Sequence, residues 1–310
     1  VFSAPGQVAM ADIPAPAPGP GQALLRVRAS GICHTDVAIL HGDYGDGAFP
    51  LVPGHEFAGE VEAVGPGVTG IAPGDRVAVD PNLPCGTCRA CRRGRGNLCA
   101  TLGAYGVSVN GGFAERCVVA ADKLVPIGDL PFHIAALAEP MACVLNGLDA
   151  AAADDAEEAL IFGAGPIGVL MAMALRARGV GGVTLADIDP ARLEMAAALG
   201  FGAEASGSDA LAARTGGMDL VVDATGVRAV VAEMLGYAAS GGAAFELFRR
   251  QLRLAGAHSL NANIPEALAT IRAIGPDIER IVSHRIPLGD VPAHLRGAGG
   301  RGTLKVQAEM

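Results

Sequence analysis

Two different alternations of apolar and polar positions run along this chain. In residues 1–30, Pro and Gly turns separate short apolar runs such as Ala23-Leu24-Leu25-Arg26-Val27. Similar strand-like runs recur at 57–64, at 76–79 and around Val118-Val119, closely punctuated by Gly65-Pro66-Gly67 and Pro73-Gly74-Asp75. Short strands with frequent turn residues predict a β-rich, barrel-like part. The character changes near Leu137. Apolar strands at 159–163, 183–187, near 202–205, 219–223 and 252–257 then alternate with Ala-rich helices at 166–178, 190–199 and 227–239. Alternation of that kind predicts an α/β fold with a doubly wound parallel sheet. After about residue 261 the pattern is mixed again. The expected division is 1–145 with 262–310 as one domain and 146–261 as the other.

One junction breaks the second alternation. The helix ending near 239 leads through Ser240-Gly241-Gly242 directly into Ala243-Ala244-Phe245, and only a helix-like run at 245–252 precedes the strand expected at 252–257. A doubly wound sheet needs a strand between consecutive helices on one side. The expectation is that a segment of more than roughly ten residues, enough for a strand and its loop, is absent between Gly242 and Ala243.

Composition narrows the class. At roughly 150 residues per domain, 310 residues make about two domains, and 51% hydrophobic residues suffice for two cores. With 4% aromatic residues and no Trp, those cores are built from Ala, Val, Leu and Ile. The 44 glycines show no three-residue period, which excludes collagen. A net charge of −9 weighs against nucleic acid or an anionic membrane as partner. The longest uncharged run, 159–175, contains Gly163, Gly165, Pro166 and Gly168. It is shorter than the ~20 residues that span a bilayer, and reads as strand, turn and helix. No signal peptide opens the chain, which begins with Val1, so the true start is expected upstream and the location cytoplasmic. Seven cysteines, four of them between 85 and 99, favour metal over disulfides.

Gly163-Ala164-Gly165-Pro166-Ile167-Gly168 fits G-x-G-x-x-G, with an apolar strand before it and a helix after it. Asp187 ends the next strand, 19 residues beyond Gly168. The glycines allow a tight turn and close approach of backbone to a pyrophosphate, and the helix N-terminus offers unpaired N–H groups. Asp187 would accept hydrogen bonds from the adenosine ribose and repel a 2′-phosphate, which favours NAD over NADP. Arg192 is close enough to cover the adenine or to complicate that choice. Cys85, Cys88, Cys91 and Cys99 form C-x2-C-x2-C-x7-C. Four thiolates wrap one Zn²⁺ with no open position, so this site is expected to be structural. Arg89, Arg92, Arg93 and Arg95 lie in the same loop and would offset its negative charge.

A second set of possible ligands is scattered: Cys33 in Gly31-Ile32-Cys33-His34-Thr35-Asp36, His55 before Glu56, and Glu139 in Ala138-Glu139-Pro140. A catalytic zinc needs three protein ligands and one open place. Each residue alone also fits an ordinary packing role.

Gly54-His55-Glu56-Phe57-Ala58-Gly59, followed by Gly65 and Val68, resembles the zinc signature of medium-chain alcohol dehydrogenases. The Cys33 segment, the Cys₄ lobe, Ala138-Glu139-Pro140 and 163–168 follow in that family's order. Within it, the chain is similar to the sorbitol, xylitol and arabitol dehydrogenase branch. The resemblance implies a GroES-like barrel domain, a Rossmann domain and a cleft between them. It implies two zinc ions per chain, NAD(H), a small alcohol or polyol substrate and a homo-oligomer, tetramer or dimer. By position it makes Cys33 and His55 zinc ligands, with Glu139 in the third place and Glu56 as the alternative carboxylate. Thr35 is the implied hydroxyl that takes the substrate proton, and Asp36 the residue that orients His55. The implied chemistry is hydride transfer from an alcohol activated by zinc. The family's relay often ends on a His three residues after Thr35, where this chain has Ala38; His41 or water is left for that task. Tyr44 and Phe49 lie where relatives line the substrate pocket. Cys117 and Cys143 fit neither metal site. The Arg-Tyr pair of sorbitol dehydrogenases is absent from 258–263, so a threonine or 2,3-butanediol dehydrogenase stays open. A non-catalytic nucleotide-binding protein keeping only the structural zinc is the other alternative.

Overall fold

The computed structural model describes residues 1–44, 48–238, 248–249, 251–298 and 303–310. In chain order its strands are β1 (Phe2–Ala4), β2 (Gln7–Val8), β3 (Gln22–Gly31), β4 (Glu56–Val64), β5 (Arg76–Val79), β6 (Asn82–Leu83), β7 (Gly103–Ala104), β8 (Arg116–Ala120), β9 (Leu124–Pro126), β10 (Glu158–Phe162), β11 (Gly182–Asp187), β12 (Gly202–Ala205), β13 (Leu220–Asp223), β14 (Val282–Pro287) and β15 (Lys305–Glu309). The helices used below are α1 (His34–His41), α2 (Phe132–Ala135), α3 (Ala138–Ala151), α4 (Pro166–Ala177), α5 (Pro190–Ala198), α6 (Asp209–Ala212) and α7 (Arg228–Ala238). They form two units: Val1–Ala142 with Ser259–Ile271 and Val282–Met310, and Cys143–His258 with Arg272–Ile281.

The first unit is built on β3. Ala23, Leu25 and Val27 alternate along it and are fully buried, packing with Phe57, Val61, Val77, Val79, Val119 and Leu124. This is the period-two pattern of a strand with one buried face. The sheet runs β14-β15-β3-β4-β5-β9, with β8 also on β3. The ten residues of β3 are long enough to serve two partners on one edge: β8 pairs with its first half, and β15 with Ala29, Ser30 and Gly31 at its end. On the other edge β4 pairs antiparallel, Gly31 facing Glu56. Cys117 belongs to this core, and burial pushes its thiol up to about 12.

The second unit holds a parallel sheet in the order β12-β11-β10-β13. Ala159, Leu160, Ile161 and Phe162 of β10 are all buried, as expected of a strand covered on both faces. Helix α4 buries every residue from Gly168 to Leu175. The strands and helices expected at 159–163, 183–187, 202–205, 219–223, 166–178, 190–199 and 227–239 are present within a residue or two.

The strand expected at 252–257 is not: this stretch has no regular structure, and Leu254 is 69% exposed. A strand exists only through ladder partners. Among the described residues nothing pairs with β13 on its outer side, so 252–257 has no neighbour to extend. The Gly242–Ala243 junction lies outside the described residues. Among the described residues, one stretch, Phe132–Ala151, is long and apolar enough to cross a membrane, but 67% of its window is buried inside the protein, as in a core helix.

Candidate active site and metal centres

Three chain segments meet at the end of β3. Two residues beyond the strand, Cys33 takes an extended conformation (φ −118°, ψ 157°) and caps α1. Asp36, in the first turn, accepts the Cys33 N–H at 2.8 Å through Oδ2 and the Gly54 N–H at 3.2 Å through Oδ1. That one wholly buried carboxylate thus fixes the backbone of both ligand-bearing loops. Its Oδ1 also lies 3.6 Å from Nδ1 of buried His55, which leaves Nε2 of the ring for a metal. Burial by itself would lower the pKa of His55. The Asp36 charge, and after it the Cys33 sulfur, outweigh burial and hold it well above the ordinary histidine value. The site therefore favours a positive charge at the imidazole, the place a metal cation would take.

The ligand atoms of Cys33, His55 and Glu56 all lie within 4.8 Å of one another. That set suits a borderline cation such as Zn²⁺. Glu56 Oε2 is buried with no hydrogen-bond partner, as expected of a group that awaits one. Glu139 is buried in the first turn of α3 but is not within the Cys33–His55–Glu56 cluster. The structure thus brings together the set with Glu56 and leaves Glu139 beside it. Thr35 Oγ1 is 3.7 Å from Cys33 Sγ. His41 lies at the exposed end of α1, and Ala38 is part-buried. Tyr44 is 44% exposed, whereas Phe49 packs against the cluster of Phe2, Leu40 and Leu51.

Lys305 was not among the residues singled out from sequence. It is 3% exposed on β15, and its Nζ donates to Glu56 Oε1 at 2.7 Å and to Ile32 O at 3.3 Å. Its alternation with Gln307 reads in sequence as the polar face of an edge strand. Nothing local signals that this face is buried.

The second cluster is Cys85, Cys88, Cys91 and Cys99, all free thiols. Cys88 and Cys91 sulfurs are 3.5 Å apart, Cys85 and Cys91 4.0 Å. Sulfurs bound at ~2.3 Å to one tetrahedral zinc would be ~3.8 Å apart, whereas a disulfide needs ~2.05 Å. The Cys85 N–H points at Cys99 Sγ (3.2 Å) and the Cys88 N–H at Cys85 Sγ (3.3 Å), stabilising thiolates. Backbone N–H groups of Thr87 and Cys88 bring the Cys85 thiol down to about 5, while burial and the neighbouring sulfurs push Cys91 up to about 12. Arg92 donates to Thr87 O within the loop. Asn261 fastens the lobe, donating to Gly94 O at 2.9 Å.

In the other unit the glycine turn joins β10 to α4. Gly163 has φ +100°, open to glycine at little cost, and Gly165 caps α4 with Pro166 in its first turn. A Cβ on Gly168 would overlap the Gly163 carbonyl, so the helix can approach the strand only with glycine there. Ile167 is 38% exposed at the helix start. At the end of β11, Asp187 accepts the Ala164 N–H at 2.7 Å and the Asp189 N–H at 2.9 Å. The structure thus places Asp187 against the turn itself. Arg192 Nη1 lies 3.8 Å from it.

The Alcohol dehydrogenase GroES-like domain family matches residues 19–129. D-altritol 5-dehydrogenase of Agrobacterium fabrum (strain C58 / ATCC 33970) is 51% identical over 327 aligned positions, covering 99% of this chain and 97% of that protein. The alignment is longer than the 310 residues here, so that relative carries residues this chain lacks. L-threonine 3-dehydrogenase of Rhizobium etli (strain CIAT 652) is 33% identical, covering 91% and 89%. Among solved structures, an NADP-bound protein of the zinc-binding dehydrogenase type from Sinorhizobium meliloti 1021 is 31% identical with TM-score 0.92, covering 100% of this chain and 98% of that one. An alcohol dehydrogenase from E. coli CFT073 complexed with NADH is 26% identical with TM-score 0.90, covering 100% and 98%. The chain belongs to the zinc-dependent medium-chain alcohol dehydrogenase family, with a GroES-like and a Rossmann part. It is an oxidoreductase, and the non-catalytic alternative falls away.

Proposed function

We propose that this enzyme oxidises a small secondary alcohol or polyol with NAD, and that it holds two zinc ions per chain. The observation that carries the reading is the convergence of Cys33, His55 and Glu56 within 4.8 Å. The polyol class rests on the likeness to D-altritol 5-dehydrogenase, which is nearer in sequence than the threonine enzyme. The GroES-like part supplies the metal sites, and the Rossmann part the cofactor site.

Cys33, His55 and Glu56 would hold a zinc ion, which would supply Lewis acidity towards an alcohol oxygen, with the nicotinamide as the hydride acceptor. The chain's own residues do the rest. Asp36 holds the Cys33 backbone and faces His55, so the ligands are set before substrate arrives. Thr35 takes the hydroxyl proton, which leaves past α1 through His41 or water. The N-terminus of α4 receives the pyrophosphate, with Gly163, Gly165 and Gly168 allowing close approach. Asp187 accepts from the ribose hydroxyls and disfavours a 2′-phosphate, so NAD is favoured over NADP; Arg192 stands beside it. Cys85, Cys88, Cys91 and Cys99 would hold a second zinc ion, which would stiffen their lobe. The enzyme is read as a cytoplasmic homo-oligomer, dimer or tetramer, which light scattering tests.

The deciding experiment is reduction of NAD and NADP against a panel of polyols, diols and amino alcohols, with metal analysis of the purified protein. Turnover of polyols with two zinc ions per chain is the expected result. Activity on L-threonine alone, or on no member of the panel, would overturn the substrate class.

A further inference from the structure

The pairing of β3 with β4 and β15 creates a relationship that the catalytic reading does not require. Gly31 faces Glu56 on one side and Gln307 on the other. Lys305 is two residues before Gln307, so it shares that face of the sheet. The strand between theirs, β3, has Gly31 opposite Glu56, and Gly31 has no side chain. A Cβ there would overlap Glu56 Oε2 and crowd the Glu56 Cβ. The empty place lets the Glu56 carboxylate lie over β3 and meet Lys305 Nζ at 2.7 Å, with both side chains buried. The lysine takes up Oε1. Oε2 remains buried and without a hydrogen-bond partner.

We propose that Lys305 is the positioning residue of the catalytic metal site: it holds Glu56 by one oxygen so that the other is presented as a ligand beside Cys33 and His55. The proposal rests on the reading of Cys33, His55 and Glu56 as a metal site. Three observations support it. Lys305 is anchored independently by Ile32 O, one residue before Cys33, so it ties the carboxylate to the thiolate's own strand end. The ion pair is enclosed on both sides, the Lys305 side chain 4% and the Glu56 side chain 2% exposed, so water does not compete for either partner. An unpaired buried lysine would be strongly disfavoured, so the position is maintained by the pair and not by packing.

The test follows zinc release from the full-length protein to an excess of a chromogenic chelator. Wild type should release zinc in two phases, and Cys91→Ser identifies the one from the Cys₄ lobe. Lys305→Met should speed the other phase by about ten- to a hundredfold, the usual effect of losing a partner that orients a ligand. Lys305→Arg should recover most of that loss. In a Glu56→Gln background, Lys305→Met should add less than about twofold, because residues acting through one another are non-additive. If Lys305→Met does not fold, Lys305→Gln replaces it with the same reading. A wild-type release rate in the lysine variants, or the full effect persisting in Glu56→Gln, would overturn the assignment. If wild type shows only the phase that Cys91→Ser removes, the metal-site reading itself fails. Two wild-type phases unmoved by the lysine variants would sink only the role of Lys305.

Discussion

Asp36 accepts the backbone N–H of Cys33 at 2.8 Å, so the carboxylate that faces His55 also sets the conformation of the residue that carries the thiolate. Helix α1 begins where it does because of this contact: Cys33 is its cap and Asp36 its third residue. A helix boundary and the proposed metal site are here one hydrogen-bonded unit.

Asp36→Ala removes both functions. It should lower turnover and catalytic-site zinc affinity by about ten- to a hundredfold, and cost about 1–2 kcal/mol of stability through the lost cap. Asp36→Asn, which can still accept the Cys33 N–H, should recover the stability more than the activity. Thermal melts and NAD reduction on the same preparations check this; equal loss in both variants would refute the capping role.

Cys33→Ser should abolish turnover while the protein remains folded. Cys33 is only part-buried at a strand end and contributes little to either core. Circular dichroism and metal analysis should show a native fold with one zinc fewer, and an active variant would remove Cys33 from the site.

Cys91→Ser should act in the opposite sense, lowering thermal stability before it lowers the turnover of correctly folded enzyme. The lobe has few apolar contacts of its own, so metal binding there is folding free energy. A melting temperature unchanged from wild type, measured with zinc present, would show that the cluster is not structural.

Wild type should prefer NAD to NADP in kcat/KM. At ~4 Å a second negative charge costs ~1–4 kcal/mol depending on screening, which makes the preference about fivefold or more. Asp187→Ser should narrow it. The same change removes the acceptors of Ala164 and Asp189, so the KM for NAD should rise as well. Equal use of both cofactors by wild type would contradict the reading.

Gly168→Ala tests the cofactor turn without touching a charge. Its Cβ would overlap the Gly163 carbonyl, and overpacking of this kind costs roughly 1–3 kcal/mol. The expected result is a higher KM for NAD with metal content unchanged, read by steady-state kinetics and metal analysis.

The amino-acid sequence by itself determined the parts whose physics is local. The C-x2-C-x2-C-x7-C spacing brings four sulfurs together within one loop. The glycine turn follows from one strand, one helix and the residues between them, and Asp187 from the end of the next strand. Periodicity located the strands from Glu158 to Asp223: β10 and β11 are largely apolar runs buried nearly throughout, while β12 and β13, at the two ends of the sheet, are short and only part-buried. The strand expected at 252–257 shows the limit: its composition suits a strand, but a strand needs a partner. Only the tertiary structure decided that Glu56, rather than Glu139, joins Cys33 and His55 in the tight cluster. It alone revealed Lys305, which lies 249 positions from Glu56 along the chain. Their contact depends on the strand order β15-β3-β4 and on a glycine between them. A lysine in an alternating strand reads as solvent-facing until the sheet shows which face is covered.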